Sequence, residues 1–165
     1  YAISGASAVW VSLGLGEPPD HRPLYVGKAE RTLKGRDVRT HFATGKTGGS
    51  TVRRSLAGLL ASDLDLRGQP RNPDIAAYYA NFGLEAAGDA RLTAWMVEHL
   101  RLAVWPSPPG TDLDDIETKV LVALMPPLNL AKVRTSWFGQ VDAGRRVLAD
   151  EARAWTPPDD QTPRS

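Results

Sequence analysis

Apolar positions recur at helical spacing through much of the chain and gather into short runs elsewhere, and that contrast sets the predicted elements. Leu33, Val38 and Phe42 share one face of a predicted helix that Gly45 ends. Val52, Leu56, Leu59 and Leu60 share a face of the next, with Ser50 or Thr51 as its cap. Leu92, Trp95, Met96 and Leu100 mark a helix over 89–100. Leu113, Ile116, Val120, Val122, Ala123 and Leu124 mark another, opened by the capping-box variant Thr111-Asp-Leu-Asp and ended by Pro126-Pro127. Its many apolar positions predict a central element. A last helix is expected over 139–155.

The short runs predict strands at Tyr1–Ser4, at Leu24–Gly27 and at Leu102–Trp105, where Pro106 closes the run. Ser7 is expected to cap a short helix through Leu13, ended by Gly14 and Gly16. Residues 63–83, broken by Pro70, Pro73 and Gly83, read as loop, and 156–165 as a disordered tail. The fold class that results is α+β: a small three-stranded mixed or antiparallel sheet flanked by helices, in a single domain over 1–155.

Composition narrows the chemistry. The 165 residues contain no Cys, which removes thiolate nucleophiles, zinc ribbons, iron–sulfur clusters and disulfides. The longest apolar run, Val120–Met125, is far short of the ~20 residues of a membrane span, and residues 1–16 lack the features of a signal peptide. A soluble, cytoplasmic protein with no membrane partner is the expectation. The chain begins with Tyr1 rather than Met, which implies residues upstream. Net charge is only +1, but Arg22–Arg54 holds nine Lys/Arg against two acids. That segment carries +7 and the remainder −6, a pattern that fits either a surface that touches phosphates or a helix pair with solvated basic faces.

Gly45-Lys-Thr is not a Walker A loop, because Thr40 stands where its first Gly belongs and a helix precedes it. Gly48-Gly-Ser-Thr still leads into a helix N-terminus, where free N–H groups either hold a phosphate or are simply capped. His21, His41 and His99 have no metal-ligand spacing, and His99 reads as structural. The informative set is Tyr25-Val-Gly-Lys-Ala, then Leu33-Lys-Gly-Arg36, then Glu117, then Pro127-Leu-Asn129. A phenol at a strand end positions or deprotonates a water, and a guanidinium neutralises a pentavalent phosphate. A lone carboxylate holds a hard divalent cation whose other ligands are water and phosphate.

This combination resembles the GIY-YIG nuclease superfamily over about residues 1–130. Tyr25-Val-Gly-Lys-Ala is similar to its second signature, Arg36 to its helix arginine, and Glu117 and Asn129 to its glutamate and late asparagine. Tyr1 resembles the tyrosine of the first signature, which makes residues 5–23 a helix-carrying insertion in the usual hairpin and 139–155 an extra C-terminal helix. The resemblance implies hydrolysis of DNA, double-stranded in the first instance, with one Mg²⁺ or Mn²⁺ held by Glu117. Either Tyr25 or Tyr1 is the general base, Arg36 or Arg39 stabilises the transition state, and His41 follows as a polar partner. Lys28 lowers the phenol's ordinary pKa of about 10. Asn129 orients a phosphate or a group close to the ion. Lys46, Ser50, Thr51, Arg53 and Arg54 are expected to contact the nucleic-acid backbone.

Two other classes stay open at this point: a non-catalytic nucleic-acid-binding module on the same fold, and a hydrolase or transferase for a small phosphorylated substrate. Sequence specificity and oligomeric state, a homo-oligomer included, are not legible in the chain.

Overall fold

The computed structural model describes residues 1–20, 22–28, 41–72 and 80–156. Predictions that fall on 29–40, including the body of the helix expected at Leu33–Phe42 with Arg36 and Arg39, lie outside the described residues, as do His21 and 157–165.

Strand β1 (Ala2–Gly5) is the middle of a three-stranded sheet, with β2 (Tyr25–Val26) on one side and β5 (Leu100–Ala103) on the other. Both pairings are antiparallel, with Ile3 opposite Tyr25 and Leu102. Ile3 is fully buried, so β1 is fixed by one apolar anchor and by ladder bonds on both edges. The third strand begins at Leu100, two residues before the predicted run, and Val104 and Trp105 leave the sheet half-exposed. Residues 63–83 are not only loop: β3 (Gly68–Gln69) pairs antiparallel with β4 (Gly83–Leu84). A two-residue strand is too short to show periodicity in a sequence.

Helix α1 (Ser7–Ser12) is capped by Ala6 rather than Ser7, with no side-chain bond at the cap. Helix α2 (Thr51–Leu59) is capped by Ser50, whose hydroxyl accepts from the Arg53 amide. Helix α3 (Ala86–His99) starts three residues before the predicted Asp89, and on it His99 lies 5.0 Å from the Trp95 ring. Helix α4 (Leu113–Leu124) is capped by Asp112 and ends at Met125 in the left-handed region. Helix α5 (Phe138–Ala154) is the last helix among the described residues.

The core lies between the sheet and α2, α3 and α5. Val141, Leu148, Ala149 and Ala152 give α5 a helical apolar stripe, and all four are buried in the main cluster beside Val52, Leu56 and Leu60. Gly58 and Gly144 let α2 and α5 approach backbone to backbone; a Cβ on Gly58 would sit 2.6 Å from the carbonyl carbon of Gly144. Trp10, on α1 between β1 and β2, is fully buried edge-on to Trp137, so this segment packs against the start of α5.

Helix α4 corrects the sequence reading. It is peripheral: Leu121 is its one buried residue, while Val122 is 61% exposed. Leu121 joins Val26 and Val133 in a small separate cluster. Leu113, Ile116, Val120 and Leu124 form one helical stripe, but that stripe lines an open cavity instead of a core. No described helix is long and apolar enough to cross a membrane.

Candidate active site

Tyr1 stands at the head of β1, and its main-chain groups exchange bonds with Gly27: N to the Gly27 carbonyl at 2.9 Å and the Gly27 amide back at 3.0 Å. Glycine is required at 27 because a Cβ there would meet the Tyr1 hydroxyl at 2.6 Å. The phenol therefore lies directly over the backbone that follows β2. Tyr25 contributes a second ring 6.2 Å away, and His41 stands 5.6 Å from Tyr1 and 5.9 Å from Tyr25.

A chain of short hydrogen bonds runs through this cluster. Tyr1 Oη lies 2.6 Å from His41 Nε2, and His41 Nδ1 lies 2.6 Å from Ser50 Oγ. The imidazole is buried, and Ser50 is held in place because it caps α2. Two proton placements satisfy the chain. With Nδ1–H donating to Ser50, Nε2 accepts from the phenol; with the Ser50 hydroxyl donating to Nδ1, Nε2–H donates to the Tyr1 oxygen. The first lets His41 take the phenol's proton and the second stabilises a phenolate, so either makes Tyr1 a better base.

Tyr1, Gly27, Lys28 and Glu117 line one cavity of about 290 Å³. Its remaining walls are mostly apolar, including Val26 and Val120 of the small cluster, Ile116, and Trp105 at 53% exposure. Lys132 Nζ donates to Glu117 Oε2 at 2.7 Å and to Asp114 Oδ1 at 3.0 Å, and Lys28 also reaches Asp114 at 3.0 Å. Hydrogen bonds to Glu117 and Asp114 raise the pKa of Lys132, while bonds from Lys132 and Lys28 lower that of Asp114. Lys132, at φ 68°, had no signal in the sequence. Among the described residues, no group of three or more His, Asp or Glu forms a metal cage.

The structure separates the expected site residues. Tyr1, Tyr25, His41, Lys28 and Glu117 meet around the cavity and the ring cluster. Lys46 is exposed and Thr51 half-buried. Asn129 does something other than orient a phosphate: its Oδ1 accepts from the Val26 amide at 2.9 Å and its Nδ2 donates to the Val26 carbonyl at 2.8 Å. It completes the open edge of β2 as a strand would. Arg53 corrects another expectation. It has no exposure, and its guanidinium bonds Thr47, the His41 carbonyl, Thr93 and the Asp89 carboxylate, so no phosphate reaches it. Ser50 is also fully buried, which resolves the Gly48–Thr51 turn as a cap. Arg54 is 7% exposed, too enclosed for an open backbone contact.

No curated protein and no solved structure compared with the chain gave a match. One protein-family model, described as the GIY-YIG catalytic domain, matches residues 15–139. The match covers about three quarters of the 165 residues and takes in Tyr25, His41, Glu117 and Asn129, with Tyr1 and most of α5 outside it. Given that span and the antiparallel α+β architecture around the site, the chain belongs to the GIY-YIG catalytic-domain family.

Proposed function

We propose that the chain is a divalent-metal-dependent endonuclease that hydrolyses phosphodiester bonds of duplex DNA in the cavity between Tyr1, Lys28 and Glu117. The observation that carries this reading is that Tyr1, bonded to His41, shares one cavity with a carboxylate and a lysine. Membership in a nuclease family supports it.

Glu117 fits the ion. A single carboxylate facing a cavity suits Mg²⁺ or Mn²⁺, which keep several waters and take phosphate oxygens as ligands, and does not suit a dedicated protein cage. When bound, the ion supplies Lewis-acid neutralisation of the phosphate. The chain's own residues do the rest. Tyr1, helped by His41, accepts a proton from the attacking water as the new P–O bond forms and the 3′- or 5′-oxygen departs. Such base catalysis contributes roughly 10²–10⁴-fold. Ser50 fixes the imidazole, Lys28 supplies positive charge to the phosphate, and Tyr25 buttresses the Tyr1 ring. Arg36, or Arg39 in its place, is proposed as the guanidinium that meets the transition state. One such cavity nicks one strand at a time.

One observation favours the alternative of a binding module without cleavage: Lys132 already neutralises Glu117. Plasmid nicking with Mg²⁺ or Mn²⁺ decides between them. The nuclease reading expects nicking that Glu117→Gln abolishes and that Tyr1→Phe reduces by about 10²–10⁴-fold. DNA retardation with no nicks at any metal concentration, or nicking that survives Glu117→Gln, overturns it.

A further inference from the structure

Neighbouring arginines on α2 have opposite electrostatic surroundings. Arg53 is paired with Asp89 at 3.1 Å, whereas Arg54 has no carboxylate partner among the described residues. Arg54 Nη1 donates to the Gly48 carbonyl at 2.7 Å and Nη2 to Thr51 at 3.4 Å, while its Nε is buried with no acceptor. What surrounds it is more positive charge. The side chain of Arg71 lies over Gly48, where an added Cβ would be 2.7 Å from Arg71 Cγ. Arg54 and Arg71 thus converge on one backbone turn. Arg145 follows Gly144, which packs on Gly58 one turn along α2 from Arg54. Burial, then Arg145, then Arg71, push the Arg54 guanidinium down to about 10, with Tyr25 opposing. The acid acting on Arg145 is Asp142, which is itself bridged to Arg146 at 2.7 Å.

Three guanidiniums grouped around a buried member repel one another, and an anion relieves that repulsion. Arg71 is exposed and Arg145 half-exposed, so an anion can reach both, while Arg54 beneath is too enclosed to be touched and acts through its field. We propose that Arg71 and Arg145, over the fixed charge of Arg54, form a second phosphate subsite that takes a backbone phosphate of the DNA flanking the scissile one. The proposal rests on the nuclease reading for the identity of the polyanion. Its placement supports a polynucleotide over a free phosphate: Tyr25, close enough to Arg54 to influence its ionisation, is in ring contact with Tyr1 of the cavity, so one strand can span both.

The test is binding of a labelled duplex oligonucleotide in EDTA, followed by fluorescence anisotropy across a KCl series, for wild type, Arg71→Gln, Arg145→Gln and the double variant. Each single variant should bind more weakly and lose about one unit of salt slope, and the double variant little more, because one phosphate is shared. Arg145→Lys should restore most of the slope. Melting of the DNA-free protein supplies the readout that a merely structural role would not give: Arg145→Gln should melt at or above the wild-type temperature, since a repulsion is removed. Inorganic phosphate should raise the wild-type melting temperature and not that of the double variant. An unchanged salt slope overturns the proposal, as does a lowered melting temperature with unchanged affinity. Stabilisation by phosphate without any change in DNA affinity overturns it in favour of a free-phosphate site. Failure of the nuclease reading looks different: no nicking by wild type with any metal, whatever the slopes. Glu117→Gln separates the two, since it should keep the full slope while losing cleavage.

Discussion

Removing the carboxylate of Asp89 should do more damage than any other single side-chain truncation near the site. Asp89 is 2% exposed and accepts from the Gly45 amide, the Thr47 hydroxyl and Arg53 Nη2. Asp89→Ala leaves Arg53 charged, with no exposure and its counter-ion gone. Burial already lowers the pKa of Arg53, with Asp89 opposing that shift, so the variant strips away the compensation. Breaking a buried pair from one side costs about 3–5 kcal/mol. Against a typical total of about 5–15 kcal/mol this is a large share of the stability. At about 2–4 °C per kcal/mol for a chain of this size, the melting temperature should fall by roughly 6–20 °C. Urea unfolding followed by both tryptophan fluorescence and circular dichroism measures it. The double variant Arg53→Met/Asp89→Leu should lose less than Asp89→Ala, because two apolar groups replace a pair whose net contribution is small. A loss below about 1 kcal/mol in Asp89→Ala, or a double variant worse than the single, would refute the reasoning. Activity should follow as well, because Arg53 Nη1 holds the His41 carbonyl at 3.0 Å.

Three further outcomes follow from the same geometry. Gly27→Ala places a methyl group 2.6 Å from the Tyr1 hydroxyl, and the displaced phenol should lower nicking by about 10²-fold with little change in melting temperature. Gly58→Ala forces α2 away from α5 at their backbone contact and should cost about 1–3 kcal/mol in urea unfolding, whereas Gly139→Ala, which meets open space, should be neutral or stabilising. Lys132→Ala frees a carboxylate now bonded at 2.7 Å, so the Mn²⁺ concentration that half-stabilises the protein in a melting series should fall several-fold; a rise would mean that the ammonium orients Glu117 rather than competing for it.

Much of the fold was legible because the elements that carry it have long or well-punctuated patterns. The helices now labelled α2, α3 and α5 show apolar stripes, and Gly45 (φ 77°), Gly14 and Gly16 sit in left-handed turns where the sequence placed breaks. The two-residue pair β3–β4 was invisible because nothing that short has a period. In helix α4 apolar content does not mean burial: Val122 faces solvent, while Leu113, Ile116, Val120 and Leu124 line a cavity. At the site, the sequence named the residues that meet but could not say how they meet. Charge and helix position mark Ser50 and Arg53 as phosphate contacts. The structure uses one as the partner of an imidazole and the other as a buried ion. Both arrangements depend on residues about 10 to 40 positions away, which local pattern cannot report.

These details point to an uneven division of rigidity across the cavity. On one wall, Tyr1 is fixed four ways: by the β1 ladder, by the exchange with Gly27, by His41 and by the Tyr25 ring. His41 is in turn held through Ser50 and, at its carbonyl, through the Arg53–Asp89 pair in the main core. On the opposite wall Glu117 belongs to α4, which buries only Leu121 and leans on the small cluster with Val26 and Val133. Few buried contacts mean a low free energy of local displacement. Tyr1 is therefore the reference point of the site and the Glu117 carboxylate is the adjustable part. On the proposed nuclease reading, such an arrangement suits a carboxylate that exchanges an ammonium for a metal ion, since small shifts of α4 can absorb the exchange without disturbing the Tyr1–His41–Ser50 hydrogen-bond chain.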